Sequence, residues 1–159
     1  MFFNKRYAQA SIAFQRAERY REAAICDAYF LREKARLIST TSSAARVRAF
    51  ADAANAFITC GRDSPSKQSK ERLAYYGAAG ECYSEAQDLK NAGDSYQSAR
   101  QYPAAARAYR EGGYFDEMVA VITQHGNTLD GSLLERLKMA AQMHYFKVYF
   151  NGRFVCNYL

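Results

Sequence analysis

A large ring, an alanine, a second ring and a small residue, at offsets of 0, 3, 7 and 10, recur along this chain of 159 residues. The frame reads Tyr7-Ala10-Phe14-Ala17, Phe50-Ala53-Phe57-Cys60, Tyr76-Ala79-Tyr83-Ala86, Leu89-Ala92-Tyr96-Ala99 and Tyr102-Ala105-Tyr109-Gly112. Looser copies start at Tyr20, with Ala23 three residues on, and at Phe115, followed by Met118 and Ile122. The frames begin at 7, 20, 50, 76, 89, 102 and 115, so five of the six intervals are 13 or 26 residues. Offsets of 3, 7 and 10 fall at about 300°, 340° and 280° on a helix turning about 100° per residue. All four residues therefore share one face within about 80°, and each frame reads as one amphipathic helix.

Alternating rings and small residues has a mechanical sense: alanine lets a neighbouring backbone approach, and the ring fills the groove beside it. The residues between, such as Lys90, Asn91, Asp94 and Gln97, are expected to face solvent. A unit of 13 leaves about ten or eleven residues for helix and two or three for a turn, which makes successive helices antiparallel neighbours. Turn chemistry agrees. Asp88 is placed to cap the helix from Leu89, Pro103 sits in a first turn, and Gly112-Gly113 stops the helix before Phe115. Ser43 is expected to cap a helix from Ala44, and Ser132-Leu133-Leu134-Glu135 has capping-box spacing.

These signals predict helices near 2–17, 20–37, 44–60, 67–86, 89–99, 102–112, 115–125 and 132–149. Such a set makes four antiparallel pairs: one all-α domain over residues 1–150, a right-handed superhelix or α-solenoid. Residues 151–159 are expected as an irregular tail, although Asn151-Gly152 between apolar residues is also a hairpin signal. Two polar connections, Ile38 to Ser42 and Gly61 to Ser66, read as surface loops. Ser64 and Ser66 are the candidate phosphoacceptors in the second.

Only 2 prolines and 9 glycines interrupt the chain, in keeping with long helical runs, and 24% charged residues make it an ordinary globular composition. Met1-Phe2-Phe3 gives way at once to Asn4-Lys5-Arg6, without the apolar core of a signal peptide. Cys26, Cys60, Cys82 and Cys156 lie more than twenty residues apart with no CxxC pair, as expected of free thiols in a reducing compartment. No stretch approaches the roughly 20 apolar residues of a membrane span. These features read as an intracellular protein, cytoplasmic or nuclear, with no membrane partner.

The core segment Gly80-x2-Tyr83-x4-Asp88-Leu89-x2-Ala92-x3-Tyr96-x2-Ala99 resembles the tetratricopeptide (TPR) motif, with glycine and tyrosine on its first helix and Ala-x3-aromatic-x2-Ala on its second. The spacing of 13 or 26 replaces the motif's roughly 34 residues, and the chain has no tryptophan. The likeness is thus to a TPR-like helical repeat, similar to the irregular arrays of SNAP adaptor or trafficking proteins. The run from Ala79 to Val121 also resembles the helical-repeat region of large UvrD-like helicase proteins. The resemblance implies a curved scaffold that holds proteins or peptides in its groove. It places partner contacts at Arg48, Asn55, Lys90 and Asn91.

Catalysis finds little support in the sequence. His125 stands at a helix end beside Gly126, and His144 lies among Met143, Tyr145 and Phe146, so both read as structural. HExxH, GxSxG and GxxxxGK[ST] are all missing, and no cofactor or metal is implied. Glu81 and Glu85, four apart on one helix, read as a solvated pair. Seven of the 13 tyrosines occupy the frame; Tyr29, Tyr75 and Tyr149 are among those outside it.

The charge is distributed unevenly. Residues 1–72 carry a balance of +7, residues 73–135 of −5, and residues 136–159 of +4, within a total of +6. The basic first half offers Arg46, Arg62, Lys67, Lys70 and Arg72, besides Arg48, as candidate phosphate contacts. The charges alternatively belong to solvated helix faces or to self-complementary ends that favour association of copies. The leading reading is a non-catalytic protein- or peptide-binding scaffold; the rival is a basic nucleic-acid-binding accessory of helicase-type machinery.

Overall fold

The structure, a computed structural model, describes residues 2–39, 43–65 and 69–156, with side chains from Arg6 to Tyr149. Its helices are α1 (Phe2–Arg16), α2 (Tyr20–Leu37), α3 (Ser43–Arg62), α4 (Lys70–Glu85), α5 (Leu89–Ser98), α6 (Tyr102–Gly112), α7 (Phe115–His125) and α8 (Gly131–Cys156). A single 3₁₀ turn, Gly126–Thr128, joins the last two, and no strand occurs among the described residues. Each helix packs against its neighbour in the chain, and α6 also touches α8.

The 13-residue unit is built from one repeated turn. Glu18, Gln87, Arg100 and Gly113 hold left-handed backbone, with φ of 57°, 59°, 59° and 77°. Just beyond each, the amides of Arg19, Asp88, Gln101 and Tyr114 donate to the carbonyls of Phe14, Tyr83, Tyr96 and Tyr109 at 2.8–2.9 Å. This is the six-to-one bond of a Schellman cap. The acceptors are the second rings of their frames, so one residue fills the core and closes the turn. The next helix starts at once, with Ala23, Ala92, Ala105 and Met118 donating back to the residues before Tyr20, Leu89, Tyr102 and Phe115. After α3 the device is missing, and there the repeat interval widens to 26 residues.

Left-handed backbone strains a residue that carries a Cβ by about 1–2 kcal/mol. Part of the relief gained by glycine is offset by the freedom it adds to the unfolded chain. Arg100→Gly and Gln87→Gly are each expected to stabilise by about 0.5–1 kcal/mol, and Gly113→Ala to destabilise by a similar amount. Chemical denaturation of the three variants checks this.

The frame residues form the core. Ala53, Phe57, Ala79, Ala92, Ala105, Tyr109 and Met118 have 0% exposure, and Phe50 and Tyr83 are buried. The core falls into two clusters, one over α2–α6 and one over α6–α8, and Tyr96 packs against both. Rings also pack directly on glycines. A Cβ built on Gly93 would meet the Tyr109 ring at 2.4 Å, and one on Gly80 would meet the Tyr96 ring at 2.7 Å. In both cases the tyrosine lies 16 residues further on, so the contact follows the repeat.

Several expectations change. Lys90 and Gln97 are half-buried, and Asp94, though exposed, accepts the Tyr109 hydroxyl at 2.5 Å while Gln97 Nε2 donates to the same oxygen at 2.8 Å. A buried phenol needs a hydroxyl partner, so the preceding helix supplies one from its flank. Tyr75 is buried although it lies outside the frame, and Tyr29 stacks on Tyr7 and meets Phe57 edge-on. The last helix is capped by Asp130, whose carboxylate accepts from the amides of Ser132 and Leu133, so the box expected from Ser132 is displaced by a stronger cap two residues earlier. Ser43 is itself the first residue of α3, and α4 is capped by Ser69, which accepts from the Arg72 amide at 3.1 Å. Ser64, expected on an exposed loop, is buried and bonded to Ser69; Ser66 lies outside the described residues.

The irregular tail expected from residue 151 is helical as far as Cys156. One internal glycine costs a helix only about 1 kcal/mol, whereas a lone hairpin is marginal in water. The last three residues lie outside the described residues. Along its middle α8 leaves Met139, Met143 and Phe146 about 60% exposed at helical spacing. No helix among the described residues is long and apolar enough to cross a membrane.

Candidate functional site

The odd-numbered helices α3 and α5 flank α4 and leave a groove of about 310 Å³ above it. Ile58 and Arg62 of α3 form one wall, Tyr76 and Tyr83 of α4 the floor, and Asn91, Asp94, Ser95 and Ser98 of α5 the other wall. Small side chains on α5 keep it open. Ser95 and Ser98 turn their hydroxyls back to the carbonyls of Asn91 and Asp94, at 2.7 and 3.0 Å. Tyr83 is fixed by donating to Asn55 Oδ1 at 2.7 Å, which holds a half-polar floor in place.

Of the residues expected to meet a partner, Asn91 lines this groove, with its amide also donating to Asp88 at 2.7 Å. Asn55 supports the floor through Tyr83 instead of lining the wall. Lys90 is turned toward α7, where its ammonium meets Glu117 at 2.7 Å and lies over the rings of Tyr109 and Tyr114. Arg48 is exposed on α3 and lines no part of the groove. Ser95, Ser98 and Asp94 also line it, and none of them was expected there. Their signal, small polar residues along one flank of α5, was legible only once α3 was known to stand opposite.

The candidate phosphate contacts do not form one track. Arg62 is in the groove, and Arg72 donates to the Tyr76 hydroxyl at 3.2 Å and lies over its ring. Arg46 pairs with Glu85 at 2.8 Å above the Phe50 ring. Lys70 is exposed at the start of α4, and Lys67 lies outside the described residues. A larger hollow of about 410 Å³ opens beside Arg32, Arg36 and Arg46, but carboxylates in it or beside it answer those charges. Arg32 reaches Glu81 at 3.9 Å and Arg36 reaches Glu33 at 2.8 Å. Glu81 is therefore part of an ion-pair lattice rather than of an acid pair.

Titratable groups near these sites are tied to structure. The Glu117 carboxyl is held below its ordinary value chiefly by the Lys90 hydrogen bond, and Lys90 is raised by the same bond. Burial lifts the thiols, Cys82 to about 11 and Cys60 less far, so both are protonated at neutral pH. His125 stacks on Tyr102 at 3.6 Å and His144 on Phe115 at 4.0 Å. Among the described residues, no three of His, Cys, Asp and Glu converge as metal ligands.

Burial also raises Tyr75, Tyr83, Tyr96 and Tyr109, the last furthest, helped by its bond to Asp94. The folded chain therefore keeps phenolic protons that the unfolded chain sheds near pH 10. Stability is full below that pH and is lost as pH rises toward the folded values. Urea unfolding from neutral pH to about pH 11 should show a steep alkaline decline, shallower in Tyr109→Phe.

Compared with descriptions of known protein families, with curated proteins and with solved structures, the chain matches none.

Proposed function

We propose that this chain is a non-catalytic protein- or peptide-binding scaffold, an intracellular TPR-like superhelix of about four helix pairs. The observation that carries the reading is the groove between α3 and α5, with its fixed tyrosine floor and its wall of serine and asparagine. Rigid aromatic groups supply contact area at low entropic cost, and small polar groups supply adaptable hydrogen bonds to a peptide backbone. Among the described residues the main helix contacts join near neighbours in sequence, as in solenoids, where the stack itself presents an extended surface. The exposed Met139, Met143 and Phe146 add an apolar patch of the kind found where proteins meet. Stacked histidines and protonated, buried thiols favour a structural use of the groups that a nucleophilic enzyme would activate.

Panning a displayed library of random peptides against the folded chain tests the proposal. Peptides with a shared sequence pattern should be enriched, and Ser98→Trp, which fills the groove from an exposed position, should weaken them about tenfold or more. Enrichment that Ser98→Trp leaves unchanged would remove the groove from the account. The rival reading predicts micromolar binding of labelled single-stranded DNA with a steep log-log salt slope. The dispersal of Arg46, Arg62 and Arg72 into separate contacts favours the scaffold.

A further inference from the structure

Four cations in the first five helices reach a carboxylate on another helix. Arg21 meets Glu71, Arg32 meets Glu81, Arg46 meets Glu85 and Lys90 meets Glu117. The seam between α6 and α8 gathers cations that have no such pair among the described residues. Arg107 and Arg110, one turn apart on α6, and Arg136 on α8 line a hollow of about 400 Å³ whose apolar residue is the buried Leu133. Glu111 is the one acid on its rim, and none of the three guanidinium groups forms an ion pair among the described residues.

Three like charges gathered without partners raise the local potential and attract an anion. Each guanidinium offers a planar fork of N–H donors, and forks from two helices can approach one anion from two sides. A carboxylate has two oxygens and one charge. A phosphate monoester has three acceptor oxygens and nearly two charges at neutral pH, which suits three forks and the local excess of two positive charges better. We propose that Arg107, Arg110 and Arg136 form a receiving site for a phosphate monoester carried on a side chain of a peptide partner. The proposal rests on the scaffold reading for its peptide source, and it adds a second contact, on α6 and α8, separate from the tyrosine-floored groove of α3, α4 and α5.

The test uses the whole chain labelled with ¹⁵N, observing arginine Nε–H signals at constant ionic strength. Inorganic phosphate and O-phosphoserine are expected to shift the Arg107, Arg110 and Arg136 signals saturably, leaving the exposed Arg48 and Arg100 unmoved. Arg110→Gln and Arg136→Gln, both at exposed positions, should each weaken O-phosphoserine by about tenfold while melting like the parent. Shifts of equal size at all surface arginines, or none that saturate, would overturn the site. Phosphoserine peptides from a randomised library should then bind at least about tenfold tighter than O-phosphoserine. Equal binding of free O-phosphoserine and phosphopeptides would overturn the peptide source, and equal binding of glutamate-substituted peptides would overturn the phosphate chemistry. Single-stranded DNA that outcompetes the phosphopeptides would also overturn it. The groove peptides selected above separate the two claims: if Arg110→Gln spares their binding and phosphate fails, only the arginine site falls.

Discussion

Tyr109→Ala is expected to destabilise the chain by about 3–5 kcal/mol, a large share of what a domain of this size possesses. The ring has no exposure, lies against Gly93 of α5, and belongs to the cluster that joins α6 to α7 and α8. Truncation removes the ring and leaves a cavity that two rigid helices cannot close. It also strands Asp94 and Gln97, which hold its hydroxyl. Tyr109→Phe isolates that second part and should cost about 1–2 kcal/mol. Denaturant midpoints of the two variants check the order; equal losses would mean that the ring contributes little.

Gly93→Val carries the second largest expected effect, about 3 kcal/mol or more of destabilisation. On propensity alone this substitution should help, since glycine is the poorer residue in a helix interior. Contact reverses the sign. The first side-chain carbon would stand 2.4 Å from one ring carbon of Tyr109 and 2.6 Å from another. The ring cannot swing aside, because its hydroxyl is bonded to Asp94 and Gln97 on the same helix as Gly93. At Gly80 the facing Tyr96 is half-buried and its hydroxyl is held only by Ser84 at 3.5 Å, so the same substitution should cost less. Thermal melts of Gly93→Val and Gly80→Val rank the two.

The repeat was legible because one period fixes the ring face and the turn together. Tyr83 and Tyr109 are buried, Tyr96 is half-buried between both core clusters, and each offers the carbonyl that ends its helix. Spacing therefore located α5, α6 and α7 to within a residue or so, whereas α8, outside the frame, runs seven residues past its expected end. The chain's own exceptions were less legible. The left-handed residues Glu18, Gln87 and Arg100 are not glycines, so residue type gave no sign of the cap they form. Gln97 looked solvent-facing and is half-buried, because helical periodicity sorts faces but does not say which flank a neighbour's hydroxyl will reach; Asp94 is exposed as expected and still takes that hydroxyl. The site was harder still. Arg48, Asn55, Lys90 and Asn91 were chosen by likeness of position, and the fold spends Asn55 and Lys90 on internal bonds. Arg107, Arg110 and Arg136 carried no local signal as a group, since α6 and α8 come together only in three dimensions.

A double-mutant cycle between Gly93 and Tyr109 tests the ring-on-glycine stacking most directly. In the parent chain, Gly93→Ala should destabilise by about 2 kcal/mol through its clash with the ring. In a Tyr109→Ala background the clash is gone, and the same change should be neutral or stabilise by about 0.5–1 kcal/mol, as alanine does in an open helix. A coupling of that size between residues 16 apart is what the account predicts. Gly93→Ala acting alike in both backgrounds would contradict it.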